Sequence, residues 1–342
     1  MGVSIHDVAK RAGVSISTVS RVINKSAGVK ESKAAAVREA LEYFDYQPSQ
    51  FGRGLVTGNS MIIGVYSPFS DGSMFENGYL MECLRGIDNI IRESSYGLLL
   101  INESKHYENN TKAKPKFIEY VNQKIIDGLI VLSIPSDGRL EGALSAVIEE
   151  NFPVGYIGKR FNDKGINVYA CYEEYMMDGI TRLYQKGHRR IAFLPLKSRS
   201  NTNQKIKYKA ETKFKGLKVN ITDVTSNIEI EFLKDILKYM LDEADITAMI
   251  CEDMSILTKI QGILSSMGRK IGEDISIISV EHVKNAGAQM LPKIDCYYVP
   301  SLMLGETIAT ELLESMNHRT NNRVMTKSFM PEYLERGSVR KI

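Results

Sequence analysis

Apolar residues over the first 45 positions recur with a helical period. Val8, Ala9 and Ala12 form one set, Val19, Val22 and Ile23 a second, and Val37, Ala40, Leu41 and Phe44 a third. That spacing predicts three amphipathic helices, the last from about Ser32 to Phe44. Between the first two, Gly13 can turn with positive φ, and Ser15 offers a hydroxyl to cap the second helix. Ser4 with Asp7 three residues on predicts the start of the first helix, as an Asp variant of the capping box. So short a turn keeps the two helices from lying side by side, and they are expected to cross steeply. This is the helix-turn-helix arrangement, in which the second helix enters a DNA major groove.

From residue 60 the pattern changes to short apolar runs alternating with longer helical stretches. The runs are Ile62–Tyr66, Leu98–Ile101, Leu129–Leu132, Val154–Ile157, Val168–Cys171, Ile191–Leu194, Ala248–Cys251, Ile277–Val280 and Cys296–Val299. Amphipathic segments such as Leu80–Ile91 and Ile256–Met267 lie between them. Such alternation specifies parallel sheets covered by helices on both faces. So many strands point to two units, and ligands in open α/β sheets bind outside the carboxyl ends of the strands. The expected fold is therefore an all-α helix-turn-helix headpiece followed by an α/β core of two doubly wound parallel-sheet subdomains. The natural small-molecule site is the cleft between them.

The outward face of the second helix adds chemistry. Ile16, Ser17, Thr18, Ser20, Arg21 and Asn24 alternate with the inward valines. Arg21 has the fork geometry for guanine O6 and N7, and the hydroxyls and Asn24 suit phosphates. Ile16 can pack on a thymine methyl. Charge supports this: residues 1–58 hold 8 Lys+Arg and 5 Asp+Glu, whereas the remainder holds 36 of each. The chain's whole excess of +3 thus lies where phosphates would attract it.

Composition narrows the alternatives. At 342 residues and 43% apolar content, the chain has material for more than one core. No apolar run approaches the roughly 20 residues needed to span a bilayer. The headpiece pattern begins almost at the first residue, so a signal peptide is not expected and the location should be cytoplasmic. Cys83, Cys171, Cys251 and Cys296 are widely spaced in apolar segments, as reduced buried thiols would be; neither a metal nor a cofactor is expected. There is no Gly-x-Ser-x-Gly elbow, Walker loop or His-Glu-x-x-His, so an enzyme is not expected. His188 reads as a turn-stabilising residue rather than a base.

The run Ile5-x-Asp7-Val8-Ala9-x-x-Ala12-Gly13-Val14-Ser15-x-x-Thr18-Val19-Ser20-Arg21-Val22-x-Asn24 resembles the headpiece of the lac-repressor (LacI/GalR) family of bacterial transcription regulators. Tyr46-x-Pro48 and Arg53-x-Leu55 continue the resemblance in register. It implies a headpiece over 1–47, a hinge helix over 48–59 and a core of periplasmic-binding-protein architecture over 60–342. The implied first subdomain spans about 60–161 and 292–322, the second about 162–291 and 323–342. Arg53 and Leu55 are implied to reach the minor groove, with Leu55 wedged between the central base pairs. Gly52, Gly54 and Gly58 depart from the commoner small residues, and each interior glycine costs a helix roughly 0.5–1 kcal/mol relative to alanine. This hinge is expected to order only when two copies meet over an operator.

By the same resemblance the partners are double-stranded operator DNA, a second copy of the chain and a small effector in the cleft, a sugar or sugar derivative. The dimer surface is expected along helices near Leu80–Ile91 and Ile256–Met267. Tyr79, Lys159, Gln204, Asp253 and Glu281 fall where relatives place effector contacts. Gln204 stands in the place of an arginine, and Cys171 replaces a common Asp. An anionic effector would suit the basic loop around Lys197–Lys209, although such a run is more often a solvated face. No heptads follow Arg336-Gly337-Ser338, so a dimer is expected over a tetramer. Two alternatives stay open: a small-molecule receptor with a vestigial headpiece, and a DNA-binding regulator controlled by a protein coregulator.

Overall fold

The computed structural model describes residues 3–23, 28–46, 59–68, 75, 77–132, 138–158, 165–195, 200–225, 228–317 and 324–342. The headpiece contains α1 (Ile5–Ala12), α2 (Ile16–Ile23) and α3 (Glu31–Tyr43). Val8, Val19 and Val37, one from each helix, are fully buried, with Ala9 and Ala40 beside them. Ile5, Ala12, Val14, Val22, Ile23, Leu41, Phe44 and Tyr46 close the rim of this small core.

The core begins with β1 (Ile62–Ser67), α4 (Gly78–Ile91), β2 (Gly97–Asn102), α5 (Lys105–Asn109) and α6 (Phe117–Asn122). It continues through β3 (Gly128–Leu132), α7 (Gly138–Glu149), β4 (Val154–Ile157), β5 (Ile166–Ala170) and α8 (Tyr172–Gln185). Next come β6 (Arg190–Leu194), α9 (Ser200–Lys213), β7 (Lys218–Ile221), α10 (Ile230–Asp242), β8 (Ala248–Cys251) and α11 (Met254–Ser266). The chain closes with β9 (Ser276–Glu281), β10 (Asp295–Tyr298), α12 (Ser301–Asn317), β11 (Met325–Phe329) and β12 (Glu332–Leu334).

These strands form two six-stranded sheets, ordered β11-β5-β4-β3-β1-β2 and β12-β10-β9-β8-β6-β7. All pairings are parallel except β10 with β12. Each sheet repeats one doubly wound order, second strand, first, third, fourth, fifth. Its order reverses between β1 and β3 in one sheet and between β6 and β8 in the other. Crevices open outside the carboxyl ends of strands at such reversals.

The sheets correct the expected subdomain boundaries. Ile166–Ala170 pairs with β4, so β5 belongs to the first sheet and not the second. Asp295–Tyr298 pairs with β9, so β10 belongs to the second sheet and not the first. Met325–Phe329 pairs with β5 and completes the first sheet, although residues from 323 onward were expected in the second. The crossings therefore fall near residues 171, 299 and 330, because at each one the chain adds a strand to the sheet it is leaving.

One helix pair fixes the first subdomain. α4 and α12 approach so closely that a Cβ on Gly86 would run into the Leu302 carbonyl oxygen. A Cβ on Gly305 would meet the Cys83 carbonyl in the same way. Only glycine admits this approach. In the second subdomain Asp295 gathers the C-terminal segment. Its carboxylate accepts from Tyr333 Oη at 2.7 Å and from the amides of Arg336, Gly337 and Ser338. His188 is buried between Thr247 Oγ1 (2.9 Å) and the Arg340 carbonyl (3.2 Å), which makes it a tie for that segment.

Candidate nucleic-acid interface and effector cleft

Local chemistry sets the pose of α2. Ser4 Oγ and its backbone amide both donate to Asp7 Oδ2, at 2.6 and 2.9 Å, and start α1. Those bonds favour the ionised carboxyl and hold Asp7 below its ordinary range. Gly13 ends α1 in the left-handed region at φ 63°. Ser15 then caps α2: the Thr18 amide donates to Ser15 Oγ at 3.3 Å, and the Thr18 and Ser17 hydroxyls lie 2.9 and 2.8 Å from it. With Val19 inward, Ser15, Ile16, Ser17 and Arg21 are exposed and Thr18 and Ser20 half-buried. The predicted DNA-reading residues in the described part of α2 thus share one accessible helix. Asn24, Arg53 and Leu55 lie outside the described residues.

The cleft candidates divide. Tyr79, in the first turn of α4 beyond β1, is half-buried and meets the His282 ring edge to face, with centroids 5.2 Å apart. His282 follows β9 in the other sheet and lies 3.0 Å through Nδ1 from Ser301 Oγ, so this contact bridges the two halves. Asp253 is occupied as the cap of α11, accepting from the amides of Ser255 (2.8 Å) and Ile256 (3.1 Å). Glu281 is fully buried. It accepts two Arg336 guanidinium bonds at 2.9 and 3.1 Å, and the amides of Asn285 and Gly287 at 2.9 and 2.8 Å. Burial opposes its ionisation, yet Arg336 and the two amides outweigh burial and hold the carboxyl below its ordinary value. Its structural bonds are filled. Gln204 is exposed on α9, and Lys159 lies outside the described residues.

The inward residue of α9 is Asn203, one position before the expected glutamine. Asn203, Ile206 and Ala210 are all fully buried, at helical spacing. Asn203 Oδ1 lies 2.9 Å from Tyr172 Oη, and Glu252 Oε2 lies 3.1 Å from the same hydroxyl. Tyr172 and Glu252 are each 7% exposed. Asn203 follows β6 and Glu252 follows β8, which places both at the strand-order reversal of the second sheet. The sequence reading missed this trio as a unit. For Asn203 the spacing of Ile206 and Ala210 was an available signal.

Two family models match the chain. Residues 4–49 fit the lacI family of bacterial regulatory proteins, and residues 180–339 fit a periplasmic-binding-protein-like domain. The chain is 28% identical to the HTH-type transcriptional repressor PurR of Serratia proteamaculans over 347 residues, spanning 98% of this chain and 96% of that protein. It is 27% identical to catabolite control protein A of Priestia megaterium, spanning 94% of each. The chain thus carries a lacI-type helix-turn-helix domain and a periplasmic-binding-protein-like domain. The fold also matches a lac repressor dimer bound to operator and the anti-inducer ONPF, with TM-score 0.77 at 20% identity over 99% of this chain and 100% of that one.

The relatives that the chain matches over nearly its whole length are transcriptional regulators, not enzymes. The headpiece helices and two parallel-sheet subdomains of this chain match the lac repressor fold. Among the described residues no helix is long and apolar enough to cross a membrane, and no three His, Cys, Asp or Glu residues cluster as metal ligands.

Proposed function

We propose that two copies of this regulator bind a pseudo-palindromic operator and repress transcription, under the control of a small polar effector, a sugar or sugar derivative, in the cleft. The observation that carries the reading is α2. Its apolar side is spent on the headpiece core, while Ser15, Ile16, Ser17 and Arg21 remain exposed on a capped, rigid helix. One such helix makes too few base contacts for tight selective binding, so a two-fold pair is required.

Exposed apolar surface supports the pairing. Phe232 (61% exposed) and Tyr239 (57%) share a face of α10, and Leu291 is 85% exposed. On α4, Met81 is exposed as well. The described residues of α11 expose no large apolar side chain, so α10 replaces it in the proposed dimer face. The effector acts by preferring one arrangement of the subdomains, and it shifts operator affinity only by its difference in affinity for the two arrangements.

The test is selection of duplexes from a random pool by the full chain, followed by anisotropy titration of the winners at several salt concentrations. A two-fold-symmetric consensus and a steep salt slope support the reading. Binding without sequence preference, or by a monomer in sedimentation, overturns it.

A further inference from the structure

The core from residue 59 onward holds 36 Lys+Arg and 36 Asp+Glu, yet residues 200–222 alone carry six lysines and one glutamate, a surplus of +5. Helix α9 turns Ile206 and Ala210 inward and exposes Lys205, Tyr208, Lys209 and Lys213. The exposed row continues through Lys215 to Lys218 at the start of β7. Lys207 and Lys209 are paired, with Glu211 at 3.1 Å and Glu173 at 2.8 Å. Among the described residues, Lys205, Lys213, Lys215 and Lys218 have no carboxylate within ion-pair distance. Tyr208 stands among these lysines, 73% exposed. A merely solvated helix face has no use for an open aromatic ring at its middle. Tyrosine at the centre with charge around it is the make-up of a protein interface.

The cations at the end of this row are held in place. Arg189 lies 3.8 Å over the Tyr184 ring and donates to the Tyr184 and His188 carbonyls at 2.9 and 3.1 Å. Tyr184 stacks on Phe214 with centroids 4.6 Å apart, and the Lys213 ammonium lies 5.1 Å over the Phe214 ring. The Tyr184 hydroxyl donates to the Lys215 carbonyl at 3.2 Å. The end of α8 is thereby locked to the end of α9, so a partner meets charges that cost little to order. β7 is an edge strand. At Val219, however, the amide donates to Glu211 at 2.8 Å and the carbonyl accepts from Lys207. That sealed edge turns away an added strand, and a partner has to be read through side chains.

We infer that the outer face of α9 docks an acidic face of another protein, with Tyr208 as the central anchor and the unpaired lysines around it. Nucleic acid fits this face less well. A phosphate backbone carries one sign of charge, whereas Glu173 and the exposed Glu174 of α8 border the lysines. The Tyr184–Phe214 pair also holds Arg189 and Lys213 over its rings, where a single strand would stack its bases. The docking does not depend on what fills the cleft.

The test is display selection of short random peptides by the full chain in excess non-operator duplex, followed by anisotropy titration of labelled winners. Winners rich in Asp and Glu around an apolar or aromatic residue are expected, with affinity that falls as salt rises. Lys205→Glu combined with Lys213→Glu should weaken a winner about tenfold or more, and Tyr208→Ala about fivefold. Lys270→Glu, beyond α11, should leave it unchanged. Melting curves separate lost binding from lost folding, and if the double reversal fails to fold, Lys205→Gln with Lys213→Gln carries the comparison. No acidic enrichment, or winners indifferent to the α9 substitutions, overturns the inference. If the double reversal weakens binding of a non-operator duplex more than Lys270→Glu does, the face belongs to nucleic acid and the inference falls. If it instead dissociates an oligomer in sedimentation, the face is a contact between copies and the inference falls likewise.

Discussion

The headpiece and the cleft place polar side chains in opposite surroundings. On α2 the hydroxyls and Arg21 lie outside a core made of five buried residues. In the second subdomain Asn203, Glu252, Glu281 and Asp295 lie inside, within hydrogen-bond networks that the fold must satisfy. An exposed polar residue can be exchanged with little cost to folding, whereas a buried one answers for stability before it answers for recognition. That difference explains why Glu281, a plausible ligand contact by position, is bound instead by Arg336 and two amides.

The largest expected effect tests the buried side of this contrast. Arg336→Leu leaves the Glu281 carboxylate buried without its guanidinium, and urea denaturation should record a loss of about 3–5 kcal/mol. A loss below about 1 kcal/mol would mean that Glu281 reaches solvent by another route and is open to ligands after all. Next, Gly86→Ala or Gly305→Ala should cost about 3 kcal/mol, because α4 and α12 have to separate to admit the methyl. If either alanine is tolerated, the close crossing does not fix the first subdomain.

Arg21→Ala probes the other side. Discrimination at one base pair of each half-site should fall by about 1–3 kcal/mol, while the melting temperature of the chain stays unchanged. A destabilised protein with intact base preference would reverse the assignment. Ser15→Ala should remove about 1 kcal/mol from the headpiece alone, read as faster hydrogen exchange at the Thr18 and Val19 amides.

The smallest effect is a dependence on pH. Burial, with the charges of Arg340 and Arg189, lowers the His188 pKa from 6.5, against the bond that the ring donates to the Arg340 carbonyl. The unfolded chain therefore takes up a proton first. The His188 contribution is complete above pH 6.5 and is lost as pH falls below it toward the lowered value. Glu281 is held below 4.5, so its contribution is present above pH 4.5 and lost as pH falls through the lowered value. His188→Gln should flatten the first stretch of a stability–pH curve and leave the second. A curve unchanged in both stretches would remove His188 from the account.

Much of the fold was legible because its central strands are apolar runs. All nine runs became strands. The strands Lys218–Ile221, Met325–Phe329 and Glu332–Leu334 escaped notice because they lie at sheet edges and carry polar, exposed residues. The misplaced crossings concern β5 and β10, which lie next to the edges, as well as the edge strand β11, since a strand's allegiance is decided by pairing and not by local pattern. The proposed reading face could be named from sequence because its described residues fall on one eight-residue helix, α2, and the serine before it. Tyr172 stands 31 residues from Asn203 and 80 from Glu252, and only the doubly wound topology brings them together.

The path of the chain between the two sheets bears on how such regulators can be recombined. The three headpiece helices are one uninterrupted stretch of sequence, and a single splice before residue 47 transfers them whole. Neither half of the core has that property. Strands β11 and β12 are separated by two residues yet belong to different sheets, so an exchange of one half needs three junctions, the last inside that dipeptide. On the proposed function, new operator specificities are therefore open to simple gene fusion, while new effector specificities have to arise by substitution within an inherited cleft.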